Sequence, residues 1–168
     1  MRFTSMRYLI LLTTMLFLPI GASAQDAKTE TVLFVCEHGA AKSVIAASYF
    51  DKLAKERGLN YRAIFRGTNP DPALNPVAEK GLNADGMNTR GLKPQLVTST
   101  DIETASTVVT LGCALPNKES VAGKVQEWND VPSPSQDYQA ARDDIFKRVS
   151  RLVDDLAKKD REASPRRP

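Results

Sequence analysis

The apolar residues of this chain change their spacing from one segment to the next. Val32-Leu33-Phe34-Val35-Cys36 runs without a polar break, which is the pattern of a strand buried on both faces. A loop of small residues follows. Ala46, Tyr49, Phe50 and Leu53 then fall at helical spacing. Tyr61–Phe65 reads as a second short strand closed by Gly67-Thr68, followed by the loop Asn69-Pro70-Asp71-Pro72. A helix is predicted from Pro76 to Ala84, with Asn75 as its cap, Pro76 in its first turn and Asp85-Gly86 breaking it. Ser99-Thr100-Asp101 opens another short helix, and Thr107–Leu111 is a third buried strand. Lys124–Trp128 reads as a fourth strand and Val131–Gln136 as a proline- and serine-rich loop. From Asp137 onward Ala141, Ile145, Val149, Leu152 and Leu156 mark a long closing helix. Strands alternating with helices imply an α/β fold, a four-stranded parallel sheet with helices on both faces in three layers. There is no internal repeat and no low-complexity segment.

The ends stand apart from this pattern. Arg2 and Arg7 precede the apolar run Tyr8–Ile20, and Ala22-Ser23-Ala24 has the form of a cleavage site, so residues 1–24 are expected to be a signal peptide. The run is short for a span of about 20 residues, which argues against stable membrane insertion. Export to a periplasm or to the outside is the expectation, with one domain over residues 25–160 and a flexible tail over 161–168. Losing Arg2 and Arg7 leaves 21 of the 23 basic residues against 20 acidic ones. That balance gives no argument for a nucleic acid or an anionic membrane as partner, and a monomer is expected.

The chemistry concentrates where the first strand meets the first helix. Backbone N–H groups of such a loop, with the positive end of the helix, form a cradle for anions. A thiolate at the mouth of that cradle would be stabilised, and the thiolate is the nucleophilic form. Cys36 is therefore the candidate nucleophile, Glu37, His38, Gly39, Ala40 and Ala41 the candidate cradle, Lys42 its cation and Ser43 a donor beside the thiol. Glu37 would repel an oxyanion unless turned outward. His38, the single histidine, could adjust the thiolate or bind ligand at the rim. One histidine and two cysteines supply no fixed metal-ligand spacing. No cofactor is implied.

Cys36, five residues, Lys42 and Ser43 resemble the signature loop of the low-molecular-weight phosphotyrosine phosphatase superfamily, which includes the thioredoxin-coupled arsenate reductases. The family pattern is Cys-x5-Arg-Ser, so lysine stands here for arginine, and Gly39 occupies the place of a loop-bracing asparagine. Phe65-Arg66-Gly67-Thr68 lies where the family has Ser-Ala-Gly-Thr. Val108-Val109-Thr110-Leu111-Gly112-Cys113 is similar to the reductases' Val-Val-Thr-Leu-Cys, with the cysteine one place late. Trp128-Asn129-Asp130-Val131-Pro132 and the helix around Ala141–Ile145 are similar to the reductase branch, and the phosphatases' Asp-Pro-Tyr-Tyr motif is missing.

The resemblance implies a phosphatase-like, flavodoxin-like sandwich binding phosphate, arsenate or a phosphorylated substrate. In the leading reading Cys36 attacks phosphorus, Lys42 and the loop amides hold the anion, and Asp130 protonates the leaving group, with Asp137 as fallback. The alternative is arsenate reduction by Cys36 and Cys113, which calls for a thiol reductant. A second alternative is an oxyanion-binding module of little turnover. Cys113 ends its strand at the same sheet edge as Cys36, so a structural disulfide, a resolving thiol and an unpaired thiol all stay open.

Overall fold

The computed structural model describes residues 28–116 and 118–163, so the expected signal peptide and residues 164–168 lie outside it. Its strands are β1 (Glu30–Cys36), β2 (Tyr61–Gly67), β3 (Thr107–Thr110) and β4 (Val125–Glu127). Its helices are α1 (Lys42–Glu56), α2 (Pro76–Ala84), α3 (Ser99–Thr104) and α4 (Tyr138–Ala163). The expected strand–helix alternation is present throughout. One unforeseen 3-10 segment, Lys118–Lys124, leads into β4; it buries no side chain and so left no apolar period to read.

The four strands form one parallel sheet in the order β2-β1-β3-β4. β1 is central because both of its faces are apolar: Val32, Leu33, Phe34 and Val35 are all fully buried. Val32 and Phe34 pack with α1, α2 and α4, where Phe34 meets Phe50 and Trp128 at ring distances of 5.8 and 6.0 Å. Leu33 and Val35 face the smaller layer of Val97, Ile102, Ala105 and Leu115. The segment after α2 extends the β2 edge, with Gly67 N–H bonded to Gln95 O at 2.8 Å and Val97 N–H to Gly67 O at 2.9 Å.

Asn75 caps α2 as expected, its Oδ1 accepting from Val77 and Ala78 N–H at 3.0 and 3.2 Å. α3 is held by a capping box between Thr98 and Asp101. Arg66, on β2, makes two parallel bonds of 3.1 Å to the Asp101 carboxylate. α4 buries Ala141, Ile145, Val149, Leu152, Val153 and Leu156 along one stripe. It continues to Ala163, so residues 161–163, expected in a flexible tail, are helical. The helix-favouring run Ala157-Lys158-Lys159 and the Lys158–Glu162 pair one turn apart carry it there. No helix among the described residues is long and apolar enough to cross a membrane.

Candidate active site

β1 and α1 deliver the cradle. Cys36 is the last residue of β1 and 6% exposed, and its Sγ lies 3.1 Å from the Oγ of fully buried Ser43. The thiol donates in that bond; once it ionises, the Ser43 O–H becomes the donor to sulfur. Ala41, at the head of α1, offers no side-chain cap, and the first turn of α1 holds no acidic residue. The leading N–H groups of a 15-residue helix thus have no internal partner.

The loop after β2 fastens the cradle from behind. Thr68, Asn69, Asp71 and Asn75 N–H groups donate to the carbonyls of Cys36, Glu37, His38 and Ala40 at 3.2, 2.8, 3.0 and 2.9 Å. Gly39 has a left-handed φ of 61°, and a Cβ on it would stand 2.8 Å from Gly67 N. A Cβ on Gly67 would meet Gly39 N at 2.8 Å and Glu37 O at 2.9 Å. The two backbones touch, so only glycine fits at either position. The contact leaves no room for a side chain at Gly39, and here the brace is backbone.

A cavity of about 240 Å3 opens over Cys36. Glu37, His38, Ala40, Ala41 and Lys42 line it from the cradle, and Asp71, Asn75, Leu111, Gly112 and residues 133–135 from the facing loops. Lys42 is half-buried, and its Nζ lies 3.7 Å from where a Cβ on Gly112 would stand. Among the described residues it pairs with no carboxylate. Glu37 is 64% exposed and so turns its charge toward water, as its place in an anion loop requires. His38 Nδ1 lies 3.2 Å from Asp71 Oδ1.

Asp130 is placed differently from its expected role as proton donor. It lines no part of the cavity, is 79% exposed and is bonded to Arg148 Nη2 at 3.0 Å. The Arg148 bond, the foremost cause, holds its carboxyl below the ordinary range. Asp137, the fallback, accepts from Ala140 N–H at 3.0 Å at the start of α4 and also lies off the cavity. Asp71, Asn75, Ser133 and Ser135 do line it and were not singled out from the sequence. The sequence marks Asn75 only as a cap, which it also is. A proline-flanked aspartate in a loop gives no signal of which side chain it will face.

Cys36 and Cys113 are both free thiols. Cys113 Sγ lies 3.5 Å from the carbonyl of Val35, the residue before Cys36. Burial chiefly, together with the negative charges of Cys36 and Glu37, pushes its thiol up to about 11 against the pull of Lys42. A larger groove, about 1130 Å3, runs between the end of α1 and α4, but no cysteine, serine or histidine lines it.

The sequence matches the low molecular weight phosphotyrosine protein phosphatase family over residues 31–162. The YwlE arginine phosphatase from Geobacillus stearothermophilus is similar in structure, with a TM-score of 0.70 at 17% identity over 82% of this chain and 99% of that one. The low molecular weight phosphotyrosine phosphatase VcLMWPTP-2 from Vibrio cholerae O395 matches with a TM-score of 0.67 at 18% identity, over 77% and 98% of the two chains. The arsenate reductase of Archaeoglobus fulgidus matches with a TM-score of 0.61 at 26% identity, over 73% and 98%. Fold and sequence thus agree over the same stretch, and the chain belongs to the low molecular weight phosphotyrosine protein phosphatase family.

Proposed function

We propose that this chain hydrolyses phosphate monoesters through a covalent phosphocysteine on Cys36, and that it acts after export. One observation carries the hydrolytic reading. A buried thiol bonded to Ser43 sits at the floor of a cavity whose wall holds an unpaired lysine. Ser43 would hold the thiolate, and Lys42 with the cradle N–H groups would neutralise the phosphoryl oxygens. Sulfur attacks phosphorus, the ester oxygen departs with a proton, and water then cleaves the S–P bond to release phosphate and restore the thiolate. Support for export comes from the charged, apolar and small-residue order of residues 1–24.

Cys113 favours a second reading, arsenate reduction. Cys36 would displace hydroxide from arsenate to form an S–As bond. Cys113 would then attack Cys36 sulfur, leaving the electron pair on arsenic as arsenite and a disulfide for an external thiol to reduce. Burial that pushes the Cys113 thiol up to about 11 would slow that attack at neutral pH.

The deciding experiment is turnover of p-nitrophenyl phosphate by the reduced protein, with Cys36→Ser beside it. The hydrolase reading expects turnover by the wild type and none by the variant. Absence of turnover in both, with arsenate-dependent loss of two free thiols per chain, would establish the reductase instead.

A further inference from the structure

The departing ester oxygen needs a proton, and the expected donor, Asp130, lies off the cavity. The side chains in the cavity wall that titrate in the acid-to-neutral class, besides the thiol and Lys42, are Glu37, His38 and Asp71. Glu37 is the most exposed of the three, and its Oε2 stands 3.8 Å from His38 Nε2. His38 and Asp71 are fixed to each other twice. The Asp71 N–H donates to the His38 carbonyl at 3.0 Å, and the Asp71 carboxylate stands 3.2 Å from His38 Nδ1. The ring is therefore gripped at one nitrogen by a carboxylate whose own backbone is tied to the cradle. That arrangement places a proton on Nδ1 and leaves Nε2 as the nitrogen that exchanges protons.

We propose that His38, oriented by Asp71, is the proton donor and acceptor of this site, in place of a carboxylic acid. The inference rests on the hydrolase reading. In the first step the Cys36 Sγ–P bond forms, the P–O ester bond breaks, and the leaving oxygen takes the proton from His38 Nε2. In the second, neutral Nε2 takes a proton from water as the oxygen attacks phosphorus. The S–P bond then breaks, and thiolate and imidazolium are both restored. Asp71 is a positioning residue: it holds the tautomer and balances the imidazolium charge, as carboxylates do behind catalytic imidazoles.

Two carboxylates stand against the imidazole, and further charged or titratable groups lie in or beside the cavity wall. They are Glu37 Oε2 at 3.8 Å from Nε2, Asp71 from the loop after β2, Lys42 at the head of α1, and the thiols of Cys36 and Cys113 at the strand ends. Ser133, Pro134 and Ser135, across the cavity, bring no charge.

The test compares p-nitrophenyl phosphate, whose leaving group hardly needs protonation, with phenyl phosphate, whose leaving group does. In kcat/KM, which ends at cleavage of the P–O bond, His38→Gln should lose at least about a hundredfold on phenyl phosphate, as general-acid removal does, and only a few-fold on p-nitrophenyl phosphate. Its pH profile on phenyl phosphate should also lack the basic limb of the wild type. Asp71→Asn should lower kcat/KM on phenyl phosphate more than on p-nitrophenyl phosphate, and Asp71→Glu should recover most of the loss. Equal losses of kcat/KM on both esters, or none, would overturn the His38 assignment while leaving hydrolysis standing. No turnover of either ester by the wild type would overturn the hydrolase reading and this one with it.

Discussion

In the proposed reading Lys42 would meet the anion with one mobile ammonium, where a guanidinium would offer two parallel bonds. If it faces the bound oxyanion, Lys42→Ala should weaken inorganic phosphate binding by about ten- to a hundredfold, the worth of one charge-assisted hydrogen bond. Lys42→Arg should strengthen binding, because Gly112 has no side chain where the larger head would lie. Calorimetric titration of phosphate into the three reduced proteins measures both; equal affinities for wild type and Lys42→Ala would place the ammonium in water. The placement of Cys36, Lys42 and Ser43 about one loop was legible in the sequence because their spacing and their strand–helix junction are local facts. Asp130 was not, because its direction is decided by Arg148 on another element. Nor was Asp71, whose partnership with His38 exists only once the second loop lies against the first.

Where burial is periodic, elements were legible. The apolar stripes of α1 and α4, and the Asn75-Pro76 start of α2, appear where their patterns place them. Arg66 on β2 is less readable, since a charge inside a strand says nothing of its partner. It joins β2 to the capping box of α3 through Asp101. Burial works to raise the Asp101 carboxyl, but Arg66 and Thr98 outweigh it and hold the group below its ordinary range. A carboxyl held low in the folded state adds stability that is complete above its unfolded value, about 3.9, and is lost as pH falls through the folded value. The urea midpoint of the wild type should therefore exceed that of Asp101→Asn at pH 7, and the gap should close as the pH drops below about 4. A gap that is constant across that range would remove the ion pair from the account.

At the scale of the molecule, the parallel sheet followed from strand–helix alternation, but the order of its strands is a long-range fact that no local pattern carries. The order β2-β1-β3-β4 puts the ends of β1 and β3 side by side and so brings both cysteines to one rim. α4 closes the structure over α1 from the far end of the sequence, and fully buried Ile145 lies in that seam. Ile145→Ala should cost about 2–5 kcal/mol, read from urea unfolding, since the cavity it leaves is walled by a rigid sheet. A loss below about 1 kcal/mol would mean that α4 settles into the gap and contributes little to the fold. The bonds that tie the two loops together carry one more consequence. A trans peptide points its carbonyl and the following N–H in opposite directions. The carbonyls of Cys36, Glu37, His38 and Ala40 are all turned to the loop behind, so the N–H groups of Glu37, His38, Gly39 and Ala41 are turned the other way. The cradle is in effect a permanently polarised film, positive on its open side, whose dipoles are already aligned before any anion arrives.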